Sequence, residues 1–186
     1  MNPNDRSLFF IALLPPVEVQ EVATKIKREF AEIYNSRAAL KSPPHVTLQA
    51  PFKWERERLP DLDRCLREFA SDRDPVPMVL ENFNVFKPRV IYIDVQKTEE
   101  LLIVQRQLMT SLETELNILD PVAKSRPFHP HLTVGFRDLT RANFQKAWTE
   151  FKERKLYYRF SVDRITLLLH NGQRWEIHQE YNLEGS

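Results

Sequence analysis

Two copies of one four-residue pattern, His45-Val46-Thr47-Leu48 and His131-Leu132-Thr133-Val134, stand 86 residues apart (131 minus 45) in a chain of 186. In each copy polar and apolar residues alternate. That is the period of a strand showing one face to a core and the other to a site. A repeat spaced at nearly half the chain predicts a duplicated unit, and its surroundings repeat as well. In the first half a strand is expected from Ser7 to Leu14, stopped by Pro15-Pro16. Val19, Val22, Ile26, Phe30 and Ile33 then recur at helical spacing. Pro43-Pro44 precede a strand from His45 to Ala50, Leu59, Leu62, Leu66 and Phe69 mark a second helix, and Val76 to Phe86 reads as a strand.

The order then begins again: a β-branched strand Val90 to Val95, a helix capped by Thr98, a connector from Asp120 to Pro130, and the strand His131 to Phe136. Thr140 opens a helix bearing Phe144, Ala147, Trp148 and Phe151. Tyr157 to Leu169 reads as one strand, and Asn171-Gly172 as a hairpin turn into Arg174 to Tyr181. The expected architecture is α+β and pseudo-symmetric. Its lobes cover about residues 1–88 and 89–186, with exchange of strands between them left open.

Composition removes several classes. Three glycines in the whole chain cannot assemble a P-loop or a dinucleotide fingerprint, both of which need backbone amides close to phosphate. A formal net charge of +1 supplies no broad positive field for long duplex nucleic acid. The apolar run Leu8 to Leu14 is far shorter than the roughly 20 residues of a membrane span. One cysteine, Cys65, forms no intrachain disulfide and falls on the apolar face of a helix. A cytoplasmic monomer with no membrane association is the expectation.

The repeated motif carries a definite chemistry. One neutral imidazole can take a proton from an attacking hydroxyl while a second, as imidazolium, protonates the departing oxygen. An ordinary histidine pKa near 6.5 allows both forms near neutrality. Threonine hydroxyls projecting beside them can donate to the non-bridging oxygens of a phosphate. With five His and nine Thr, random placement gives about 0.24 His-x-Thr matches, so two at corresponding points of a repeat are significant.

Pro44-His45-Val46-Thr47-Leu48-Gln49-Ala50-Pro51-Phe52 and Phe128-His129-Pro130-His131-Leu132-Thr133-Val134-Gly135 resemble the paired motifs of the two-histidine (2H) phosphoesterase superfamily, in its 2′-5′ RNA ligase-like branch. The resemblance spans nearly the whole chain. It implies antiparallel-rich sheets facing a central cleft with helices outside, and hydrolysis or reverse ligation at 2′,3′-cyclic phosphate or 2′-5′ linkages without metal or cofactor. By that analogy His45 and His131 are the catalytic pair, and Thr47 and Thr133 hold the phosphate. The implied partner is an RNA 3′ end, an oligonucleotide or a small cyclic phosphate nucleotide. The alternative is an RNA- or nucleotide-binding protein with the same cleft and no turnover.

Phe52, Trp54 and Phe136 follow the motifs and are candidates to stack a base, with core or rim packing as the competing reading. Lys53 and Arg137 are the nearest cations after the motifs; Lys124, Arg126, Arg137 and Arg141 surround the second. Substrate contacts are therefore expected from Phe52, Phe136 and Arg137. His129-x-His131 lacks the further ligands that a metal site requires. Neither the motif nor its setting says which histidine is acid and which base.

Overall fold

The computed structural model describes residues 6–120 and 125–185. Among the described residues eight strands form two antiparallel four-stranded sheets. The strands are β1 (Arg6–Leu13), β2 (Val46–Glu55), β3 (Val76–Phe86), β4 (Val90–Val95), β5 (His131–Gly135), β6 (Tyr157–Val162), β7 (Arg164–His170) and β8 (Trp175–Asn182). One sheet runs β2-β1-β7-β8 and the other β5-β4-β3-β6. The helices α1 (Val17–Ile33), α2 (Leu59–Ser71), α3 (Glu99–Leu116) and α4 (Arg141–Phe151) pack with them. The expected α+β class with antiparallel sheets is what the chain adopts.

The sheets are not the sequence halves. β3 leaves the first half to pair with β4, and β7 and β8 return from the second half to pair with β1. Each motif strand nevertheless keeps its own neighbour, β2 beside β1 and β5 beside β4. The segment Tyr157 to Leu169, read from sequence as one strand, is two. It breaks at Asp163, whose carbonyl accepts the Leu183 amide at 2.8 Å, and its two parts join different sheets. The charged pair Asp163-Arg164 interrupts the apolar pattern at that point, but which sheet each part joins is not written in the segment.

Thr98 and Thr140 cap their helices as expected, accepting hydrogen bonds from the amides of Leu101 (3.3 Å) and Asn143 (3.2 Å). α1 buries Val19, Ala23, Ile26, Lys27, Phe30 and Ala31, whereas Ile33, assigned to its apolar stripe, is 63% exposed. α1 can lie on β5 because residue 135 is glycine. A Cβ there would stand 2.5 Å from the Phe30 ring, closer than any real contact. Among the described residues no helix is long and apolar enough to cross a membrane.

Candidate active site

Both motifs show the alternation that their sequence predicts. Val46, Leu48, Leu132 and Val134 are buried in the main core, while His45, Thr47, His131 and Thr133 are half-buried. All four polar side chains line one cleft of about 1010 Å³. The sheets thus bring together residues 86 positions apart.

The two histidines are held alike. His45 Nδ1 lies 2.7 Å from the Pro43 carbonyl, and His131 Nδ1 lies 2.8 Å from the His129 carbonyl. A carbonyl only accepts, so Nδ1 carries the proton in each ring and Nε2 is the basic nitrogen of the neutral form. His129, two residues before its partner, serves through its backbone, and its ring meets those of Tyr92 and Phe86 edge-on. Its Nε2 is 2.9 Å from the Tyr92 hydroxyl.

The surroundings of the rings differ. His45 packs on Phe10, with centroids 4.8 Å apart. His131 stands against Phe86 (4.9 Å) and Tyr92 (5.2 Å), and its cross-strand partner is Asp94. Burial lowers the pKa of both, because an imidazolium loses hydration there. For His45 the value falls to about 4, chiefly by burial and next by the charge of Lys27, with the Pro43 carbonyl opposing and His131 adding a smaller repulsion. For His131, burial acts against the His129 carbonyl; the charge of His129 further disfavours the imidazolium, and Asp94 favours it by less.

The walls come from elements that the motifs did not indicate. The hairpin between β7 and β8 supplies His170, Gly172, Gln173, Arg174 and Trp175. Its tip is set by Gly172 at φ +99° and by Asn171 Oδ1, which accepts the amides of Gln173 and Arg174 at 2.9 Å each. A 3-10 turn, Ala38–Lys41, supplies the opposite lip together with Ser42. That turn is tied to the end of the second motif by Asp138. Its carboxylate accepts the Arg37 amide (2.7 Å), the Ala38 amide (3.0 Å) and the Ser36 hydroxyl (2.8 Å).

Of the expected substrate contacts, Phe136 and Arg137 line the cleft, with the Arg137 guanidinium 5.2 Å from the Phe136 ring centroid. Phe52 does not. It packs on the main core against Phe9, with centroids 6.4 Å apart, on the opposite strand face from Thr47, and Pro51 lines the cleft instead. The i, i+2 parity of β2 separates residue 52 from residue 47, a signal available in the sequence. Trp54 is likewise a core residue. Lys53, Arg126 and Arg141 do not line the cleft, and Lys124 lies outside the described residues. Among the described lining residues Lys41, Arg137 and Arg174 are cationic and none is Asp or Glu.

Two antiparallel sheets with a His–Thr pair from each in a common cleft define a duplicated α+β class. The family model described as the 2′-5′ RNA ligase superfamily matches residues 15–174, and the chain belongs to that family. A curated relative named "Putative phosphoesterase GK0864", from Geobacillus kaustophilus (strain HTA426), is 29% identical over 182 residues, covering 94% of this chain and 95% of its own. Among solved structures, that of TT0787 of Thermus thermophilus has a TM-score of 0.67 at 19% identity, covering 96% of this chain and 99% of that one. Escherichia coli LigT complexed with 3′-AMP has a TM-score of 0.69 at 17% identity, covering 96% and 98%. These two show the likeness of fold.

Proposed function

We propose that the chain is a phosphodiesterase that opens 2′,3′-cyclic phosphates, or cleaves 2′-5′ linkages, at the ends of RNA or oligonucleotides. The observation that carries this reading is the meeting of both His–Thr pairs in one cleft whose described lining holds cations and no carboxylate. A phosphate diester is an anion, and a site for it must add positive charge and hydrogen-bond donors as negative charge grows on its oxygens. The Nε2 atoms of His45 and His131 transfer the protons at the attacking and leaving oxygens. The hydroxyls of Thr47 and Thr133 hold the non-bridging oxygens. Because two imidazoles accomplish both proton transfers, the step requires no metal ion. Joining of ends as a 2′-5′ ligase is the same chemistry run backwards.

Two further points support a nucleotide substrate. The cleft volume of about 1010 Å³ is at the upper end of ordinary small-molecule sites, so it has room for a nucleotide and more. LigT, which shares the fold, has been crystallised with 3′-AMP and with NADP+.

The test is a panel of 2′,3′-cyclic nucleotides and 2′-5′ linked dinucleotides incubated with EDTA, using wild type, His45→Ala and His131→Ala. Each single substitution is expected to lower turnover at least about a hundredfold, the scale of one general acid or base. Near-normal rates in either variant refute the mechanism. Binding of these compounds without turnover by wild type selects the reading as a nucleotide-binding protein.

A further inference from the structure

Among the described residues Lys27 is the one charged side chain that is buried, at 2% exposure. It lies on the inward stripe of α1, where an apolar residue would satisfy the helical pattern. Its ammonium donates to the Ser42 carbonyl at 3.0 Å and makes no ion pair among the described residues. A cation held in the interior without a counter-ion is costly, so its retention asks for a reason. Ser42 is at the lip of the cleft, and the neighbouring Pro43 carbonyl holds His45 Nδ1. Lys27 therefore grips the root of the turn that orients one of the two imidazoles.

The other motif has no such neighbour. The buried series Ala23, Ile26, Lys27 and Phe30 of α1 returns in α3 as Leu101, Val104, Gln105 and Leu108. There the neutral Gln105 stands where α1 has its lysine, and its own bond, 3.4 Å to the Leu48 carbonyl, is made to β2 and not to the second motif. The charged groups acting on His45 are Lys27 from α1 and His131 from β5, while Phe10 of β1 packs on it uncharged. Those acting on His131 are Asp94 across the strand pair and His129 on its own segment. One imidazole of the duplicated pair thus has a buried lysine behind it, whereas the other has none and stands between His129 and the opposing charge of Asp94.

We infer that Lys27 is a positioning residue that makes the duplicated site directional: its buried ammonium fixes the Ser42–His45 turn and keeps His45 in its proton-accepting form, leaving His131 as the proton donor. The inference rests on the two-histidine reading above and assigns the roles within it. Its charge matters most below neutrality, where burial alone would leave His45 more readily protonated.

The decisive experiment follows the imidazole resonances of 13C-histidine-labelled protein against pH in wild type, Lys27→Met and Lys27→Gln. Glutamine keeps a donor for Ser42 and removes the charge, which separates anchoring from electrostatics. The His45 midpoint is expected to rise by about one pH unit in both variants, the scale of a buried charge several ångströms away, while that of His131 stays. In kcat/KM on a 2′,3′-cyclic phosphate the acid limb moves up with it; Lys27→Gln, which keeps the donor, holds the plateau within about twofold of wild type, whereas Lys27→Met, which loses the anchor, lowers it several-fold. A His45 midpoint unmoved in both variants overturns the role of Lys27. A moved midpoint with an approximately tenfold higher plateau identifies His45 as the donor and overturns the direction. The titration needs no turnover, so a protein that hydrolyses nothing in the panel refutes the proposed function and leaves the role of Lys27 to be read from the resonances.

Discussion

Replacing Lys27 by methionine is expected to stabilise the protein, and by an amount that depends on pH. Burial lowers the Lys27 pKa from the ordinary 10.5 to about 7, so the unfolded chain binds a proton that the folded one resists. At 1.36 kcal/mol per pH unit, the gap corresponds to a folding cost of about 5 kcal/mol. The sign follows from the direction. For a base whose folded pKa is depressed, the cost is full below about pH 7, shrinks as pH rises, and vanishes above 10.5. Linkage gives a cost of about 4 kcal/mol at pH 7 and about 1 kcal/mol at pH 10. Methionine has similar length and no charge to desolvate, so it should remove this dependence. Urea unfolding of both proteins at several pH values between 7 and 10 measures the difference. It should narrow by about 3 kcal/mol across that range, whatever constant term methionine adds through packing. A difference that stays flat would refute the claim that this lysine is held against its charged form.

Four further outcomes are expected. Thr47→Val and Thr133→Val each remove one donor to the phosphate and should lower kcat/KM about tenfold to a hundredfold with melting temperature little changed; steady-state kinetics and thermal melts check this. Phe52→Leu should leave turnover within about twofold and destabilise by about 1 kcal/mol, since its ring packs on the core and not in the cleft, as activity and urea titration will show. Asp138→Ala frees the Arg37 and Ala38 amides and the Ser36 hydroxyl, loosening one lip of the cleft, so KM should rise several-fold while kcat falls less. Because burial lowers both imidazole pKa values below 6.5, kcat/KM for the free enzyme should peak on the acid side of 6.5; an optimum above pH 7.5 would contradict these environments.

How much of this was legible in the chain depended on whether the signal was local. Strand alternation identified His45, Thr47, His131 and Thr133, because a period of two fixes which side chains share a face. The same parity would have excluded Phe52, had it been carried four residues further along β2. Helical periodicity placed α1 but put Ile33 on its buried stripe and passed over Lys27. A lysine is ordinarily exposed, and its spacing of four from Ala23 and Ala31 and three from Phe30 is what marks it as inward. His170, Arg174 and Trp175 of the last hairpin, and Lys41 opposite, reach the cleft through pairing of β7 with β1 and through the Asp138 link. Those contacts join residues far apart in sequence, and no pattern in a single chain encodes them. Which sheet each part of the Tyr157 to Leu169 segment joins was hidden for the same reason, although the charged pair Asp163-Arg164 marked the break.

The asymmetry between the motifs belongs to that second category. Their four-residue patterns are nearly interchangeable, and so are the carbonyls that hold their Nδ1 atoms. What separates them lies behind the strands, a lysine on one side and an aspartate across the strand pair on the other. On the proposed mechanism the duplicated scaffold supplies two matched imidazoles, and residues outside the repeat give them different roles.

The most direct measurement is a crystal structure with a 2′- or 3′-nucleoside monophosphate bound. The account predicts one phosphorus between the sheets, with Nε2 of His45 and of His131 each within about 2.6–3.2 Å of its oxygens and both threonine hydroxyls donating to it. A phosphate seated against only one histidine, or outside the cleft altogether, would contradict it.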